Sequence, residues 1–233
     1  MTQLDKLHRA VRQQSDPKRA RALRGYFKTG KGEYGEGDVF YGLTVPQSRT
    51  LAKRFRDLDL ASLRNLLSSA VHEERLIALL VLVEQFKAGD ESARKKIAEF
   101  YLRNLRGVNN WDLVDLSAHK ILGEYLLDKP KTILRKLARS GDLWERRVAV
   151  LATFRFIDDG RFGESLEMAR MLLRDEHDLI HKAVGWMLRE VGKRDKAAEV
   201  KFLKKYYQRM PRTMLRYAIE KFPKSEQRKY LKK

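Results

Sequence analysis

The strongest constraint on what this chain can fold into is a repeat. Glu74-Arg-Leu-Ile-Ala-Leu-Leu80 has a counterpart in Glu145-Arg-Arg-Val-Ala-Val-Leu151. Extended along the chain, the same register aligns Leu76, Asp112, Arg147, Lys182 and Arg216, at steps of 36, 35, 35 and 34 residues. A period near 35 residues with helical patterning belongs to a helix pair, whose apolar face stays open until a neighbouring pair stacks on it. The expected fold is all-α: an α-solenoid of HEAT/ARM-like helical repeats, curved with a basic concave face, forming a single domain over residues 1–233. One helix of each pair lines the concave side of such a stack, so side chains in register enter one groove together.

Charge says what that groove attracts. Lys and Arg number 50 against 31 Asp and Glu, a net charge of +19 with an isoelectric point near 10.1. The excess calls for an anionic partner, and phosphate neutralisation with counterion release makes nucleic acid the simplest one. Residues 196–233 carry the bias most strongly, with 13 basic against 3 acidic side chains. The absence of cysteine excludes disulfides and Cys-based zinc sites. His177 and His181 are four apart but have no third ligand in view, so neither a metal nor a cofactor is expected. The polar N-terminus lacks the apolar core of a signal peptide, and the longest apolar run, Leu76 to Val83, is far too short to span a bilayer. A cytoplasmic monomer with no membrane contact, nucleoid-associated when bound to DNA, is expected.

Helix starts and stops are marked throughout. Residues 3–14 place Leu4, Leu7 and Val11 on one face, and Asp16-Pro17 caps a second helix reaching about Phe27. Pro46 opens a helix to about Asp57, and Asp59 caps another to Ser69. Further helices are expected over 72–88, 90–105, 110–128, 130–139, 142–157, 163–174, 178–192, 195–208, 211–221 and 224–232. Their breaks fall at Gly89-Asp90, Gly107, Lys129-Pro130, Ser140-Gly141-Asp142, Asp158-Asp159-Gly160, Met210-Pro211 and Phe222-Pro223. No segment alternates like a strand. Thr29-Gly-Lys-Gly-Glu-Tyr-Gly-Glu-Gly-Asp38 reads as a loop or short hairpin. It lacks GK[ST] and a strand–turn–helix setting, which argues against a P-loop. A plain connector and a loop touching DNA through Lys28 and Lys31 both fit it.

The chemistry centres on Asn109-Asn110-Trp111-Asp112-Leu113-Val114-Asp115. Asn109 or Asn110 can cap a helix there, and Asp112 in the first turn suits the helix dipole. Trp111 and Asp115, four apart, share a face. On spacing alone they fit a half-buried indole with a carboxylate paired to a nearby Lys or Arg, or an aromatic wall beside a catalytic anion. Trp186 lies four residues past Lys182, and Asp115 three past Asp112, so both can reach the same groove. Trp144, just after Gly141-Asp142, reads as core. A carboxylate repels DNA, so a basic groove with two indoles and one acid needs more than phosphate binding to explain it. Breaking an N-glycosidic bond builds positive charge on the sugar, which an anion and aromatic faces stabilise. A base that is already cationic, such as an N3- or N7-alkylated purine, leaves neutral and needs no general acid.

Four segments carry a family likeness: Phe40-Tyr-Gly-Leu-Thr-Val-Pro46, Trp111-Asp-Leu-Val-Asp115, Leu143-Trp-Glu-Arg-Arg147-Val-Ala-Val-Leu and Ile180-His-Lys-Ala-Val-Gly-Trp186-Met-Leu-Arg-Glu190. In order and spacing, from about residue 15 to 220, the chain resembles the bacterial DNA alkylation repair glycosylases of the AlkD family, built from HEAT-like repeats. The resemblance implies that Asp115 is the catalytic carboxylate and that Trp111 and Trp186 contact the damaged nucleotide's sugar. It also implies that Arg147 holds the backbone near the lesion. Lys182, Arg189 and Arg216 complete the expected DNA-binding set. The implied activity is that of a monofunctional glycosylase releasing cationic 3- and 7-alkylpurines from double-stranded DNA, without a tight pocket for an extruded base. No lysine stands out as a Schiff-base nucleophile, so strand cleavage by lyase chemistry is not expected. Two other readings fit the scaffold: a non-catalytic binder of DNA structures, and a helical-repeat protein-binding scaffold.

Overall fold

A computed structural model describes residues 1–232. The chain packs as two compact units, Met1–Ser117 and a second from Ala118 onward. The first holds α1 (Gln3–Gln13), α2 (Pro17–Tyr26), α3 (Val45–Arg54), α4 (Leu60–Leu67), α5 (His72–Ala88), α6 (Glu91–Arg103) and α7 (Trp111–Ala118). After a π-helical turn, His119–Gly123, come α8 (Glu124–Leu126), α9 (Thr132–Ala138), α10 (Leu143–Ala152), α11 (Phe154–Asp158) and α12 (Gly163–Met171). They are followed by α13 (Asp178–Arg194), α14 (Lys196–Tyr206), α15 (Arg212–Ala218) and α16 (Lys224–Leu231). Among the described residues the only β pairing is an isolated bridge between Val39 and Val71. No helix among them is long and apolar enough to cross a membrane.

The helices begin where local chemistry says they should. Asp16, Asp59, Asp90, Asp142 and Asp195 each accept a backbone N–H from the first turn of the helix they precede, and Thr2 and Thr44 form capping boxes with Asp5 and Gln47. The aligned positions Leu76, Asp112, Arg147, Lys182 and Arg216 fall on α5, α7, α10, α13 and α15, one per helix pair. The fold is thus an all-helical stack of repeats, as the 35-residue register implied.

Two expected helices are interrupted. The one expected over 110–128 passes through the π-turn at 119–123. The one expected over 142–157 breaks after Ala152, where the Thr153 hydroxyl donates back to the Val150 carbonyl at 2.7 Å and competes with the helical ladder. Neither break carries a Gly or Pro signal at its start.

In the first unit α5 forms the core. From His72 to Val83 every one of its residues is buried, so it is apolar all round beyond its first turn. That first turn, His72-Glu73-Glu74-Arg75, places four ionisable side chains inside the protein, and each must find partners there. In the second unit α13 is the central helix. At Gly185 an added Cβ would lie 2.5 Å from the Met214 carbonyl oxygen, so only glycine lets α15 approach this closely.

Candidate active site

The site is built where the segment after the Gly-rich loop meets the starts of α5 and α7. The Glu73 carboxylate accepts the backbone N–H groups of Tyr41, Gly42 and Leu43 at 2.7–3.2 Å. Arg19 of α2 donates to the Gly42 carbonyl at 2.8 Å. Gly42 has φ of +90°, and a Cβ on it would sit 2.3 Å from the Asp16 carbonyl oxygen. The position therefore requires glycine on two counts. This stitching presents Phe40 inward, where its ring stacks on Phe27 at 5.1 Å and on His72 at 4.6 Å.

Trp111 completes the aromatic pile. Its indole lies nearly parallel to Phe27, with centroids 5.1 Å apart and an interplanar angle of 11°, and meets the Tyr26 ring edge-on at 5.8 Å. Beside this pile opens a pocket of about 440 Å³. Trp111 and Asp115 both line it, with Tyr26, Phe27, Phe40 and Leu116 among the other walls. Tyr26 stands at 65% exposure, so the pocket has an aromatic residue presented to solvent. Trp111 and Asp115 are both half-buried. Beneath the same helix Tyr101 is fully buried and bonded to Ser117 Oγ at 3.0 Å. Burial pushes its phenol well above the ordinary value, and the charge of Asp115 adds to that push.

Under the pocket lies a closed ionic cluster whose pairing sequence patterning does not reveal. His72 Nδ1 faces Asp38 Oδ2 at 3.0 Å, and His72 Nε2 faces Asp112 Oδ2 at 2.9 Å. Arg75 donates to Asp38 Oδ1 at 2.5 Å, and Asn110 Nδ2 to Asp38 Oδ2 at 3.2 Å. Asn110 Oδ1 in turn accepts the Trp111 N–H at 2.9 Å, and Asp112 Oδ1 the Leu113 N–H at 2.9 Å. Burial alone would lower the His72 pKa; the hydrogen bonds from its ring to Asp112 and Asp38 outweigh this and hold it above the ordinary histidine value. Burial likewise would raise Asp38, but His72 and Arg75 bring it below the usual carboxylate range.

The remaining expected site residues belong to the second unit. Trp186 is half-buried, packs near Phe154 at 5.8 Å, and donates its indole N–H to Glu190 Oε1 at 3.1 Å. Burial raises the Glu190 carboxyl, but Lys193, Trp186 and Arg189 together draw it below the ordinary value. Arg147 is buried and donates to the Leu179 carbonyl at 2.6 Å, which ties α10 to the start of α13. Lys182 pairs with Asp178 at 2.7 Å, Arg189 pairs with Glu220, and Arg216 is exposed. Trp144, expected in the core, is buried. Trp111 and Asp115 are thus together in one pocket of the first unit, while Trp186 and the four basic residues lie on α10, α13 and α15.

Residues that sequence reasoning passed over include Tyr26, Phe27 and Phe40 in the aromatic walls and Asp38, His72 and Arg75 beneath them. One signal was available: four consecutive ionisable residues at 72–75, directly before the longest apolar run, promised buried charges that need partners.

Comparison with known proteins agrees with this architecture. A family model described as DNA alkylation repair enzyme matches residues 7–222. A solved structure from Enterococcus faecalis, described as a "predicted DNA alkylation repair enzyme", is similar to the chain in fold, with a TM-score of 0.70 at 18% identity. The match covers 91% of this chain and 98% of that one. No curated protein sequence matches significantly.

Proposed function

The chain belongs to the DNA alkylation repair enzyme family, and on that premise we propose that it is a monofunctional DNA glycosylase acting on cationic 3- and 7-alkylated purines in duplex DNA. The observation that carries this reading is the pairing of Asp115 and Trp111 on one wall of an aromatic pocket. In the proposed reaction the C1′–N9 bond breaks and its electron pair passes to the base. The base entered with a positive charge and departs neutral, so no proton donor is required. The sugar becomes oxocarbenium-like, and the Asp115 carboxylate stabilises that charge from the pocket wall. Trp111 offers a ring face to the cationic sugar, and the resemblance read from the sequence gives Trp186 the same role. Water then adds at C1′ and gives up a proton, which Asp115 accepts, leaving a free base and an abasic site.

The net charge of +19 supports DNA as the partner. In this reading Lys182, Arg189 and Arg216 contact phosphates, and Arg147 supports them from its buried place against Leu179. The protein acts as a monomer. The test is release of 7-methylguanine from N-methylated duplex DNA. Asp115→Asn should lower the single-turnover rate by about 10²–10³ while DNA affinity is retained, the range for removing one electrostatic stabiliser. Equal rates for mutant and parent would remove Asp115 from this role. A parent that frees no base yet shifts four-way junctions would establish the non-catalytic DNA-structure binder instead.

A further inference from the structure

We propose that His72 is a positioning residue: its imidazolium, clamped between Asp38 and Asp112, aims Trp111 and Asp115 into the pocket. The functional meaning of that aim rests on the catalytic reading of Asp115. The geometry of the clamp stands without it.

Each ring nitrogen of His72 faces a carboxylate oxygen, at 3.0 Å and 2.9 Å. A neutral imidazole has one N–H and one lone pair, so it would turn a lone pair on one of the two carboxylates. Only the imidazolium donates to both. Charge counting gives the same answer. The groups facing the ring from its packed elements are Asp38 from the loop end, Asp112 from α7 and Arg75 from its own helix, with neutral Asn110 beside them. Glu73 is adjacent but is spent on the backbone of residues 41–43. The Phe40 ring stacks on the imidazole and the Phe27 ring lies tilted against it. Two carboxylates and Arg75 leave an uncompensated negative charge unless His72 is protonated, at a site where His72 is only 2% exposed.

The clamp acts on α7. Asp112 links His72 to the Leu113 N–H, and Asn110 links Asp38 to the Trp111 N–H. These bonds hold the first turn, and Asp115 follows one turn later on the same helix. Loss of the His72 proton leaves two buried carboxylates and a single guanidinium, which is paired to Asp38. They repel, the first turn shifts, and both Trp111 and Asp115 move with it. A displacement on the order of 1 Å at a reacting centre is enough to cost up to about a hundredfold in rate.

The experiment has two arms on the full-length protein. The first needs no activity: nitrogen-15 NMR of the histidine rings from pH 6 upward. Both His72 nitrogens should show imidazolium shifts at neutral pH, and the Trp111 indole signal should move with the same midpoint when the ring finally loses its proton. A neutral His72 at neutral pH, or a Trp111 signal that stays in place, overturns the proposal. The second arm is single-turnover release of 7-methylguanine. His72→Gln should slow it by about tenfold to a hundredfold, with affinity for the methylated duplex within about twofold. Adding Asp112→Asn makes the cluster neutral again, and should recover most of the loss and abolish the alkaline fall in rate expected of the parent. Parental rates in His72→Gln, or no recovery in a folded double variant, overturn the proposal. If the parent itself releases no base, the catalytic reading has failed, and the NMR arm alone decides the clamp.

Discussion

Glu199 sits in the first turn of α14 at 1% exposure, with its Oε1 lacking a hydrogen-bond partner among the described residues. Burial pushes its carboxyl from 4.5 up to about 8, against the weaker pull of Lys196. A carboxyl whose folded pKa is raised keeps its proton longer in the folded state than in the unfolded one. Its stabilising effect is therefore complete below pH 4.5, declines as pH climbs, and is lost above about 8. At about 1.4 kcal/mol per pH unit, the interval from 4.5 to about 8 corresponds to a ceiling of about 5 kcal/mol. Glu199→Gln removes the ionisation and keeps the shape. The new amide adds an unpaired donor of its own, a cost of about 1–3 kcal/mol that does not vary with pH. Denaturant unfolding of both proteins at several pH values from 4 to 9, followed by tryptophan fluorescence, separates the two effects. The parent should lose stability relative to the variant by about 3–5 kcal/mol across this range, with the steepest change between 5 and 8. Parallel pH curves would refute the reasoning and place the Glu199 carboxylate in contact with water or an unrecognised cation.

Two further outcomes follow from the same structure. Gly42→Ala meets both a φ of +90° and the Asp16 carbonyl, so it should destabilise the first unit by about 2 kcal/mol or more and loosen Phe40. Thermal unfolding measures the first effect, and an unchanged midpoint would mean the segment 40–44 relaxes freely. DNA affinity should fall with salt at a log–log slope of roughly −4 to −5 if about five phosphates are neutralised. Titrations of a duplex at several salt concentrations give the slope, and a value near zero would point to a protein-binding scaffold.

The elements of this protein were legible because they are written in short-range signals. Asp and Thr caps act on N–H groups two or three residues away, and apolar spacing reports the buried face within one or two turns. The register from Leu76 to Arg216 could likewise be read, since a repeat shows itself by self-similarity. The two interrupted helices were not legible: Thr153 breaks a ladder through a side-chain bond that many helical threonines also make without breaking anything. The site was half legible. Trp111 and Asp115 share a helical face, and that alone carries them to one pocket.

What depth and partner each side chain would have could be decided only by tertiary packing. His72 meets partners 34 residues before it and 40 after it, and no local spacing encodes a contact across three separate elements. Arg147, expected to hold the DNA backbone, is buried and donates to the Leu179 carbonyl, a partner set by the packing of α10 against α13. Sequence alone determined helices, repeat and charge, which depend on neighbours along the chain. Desolvation and pairing depend on neighbours in space, and these the folded structure decided.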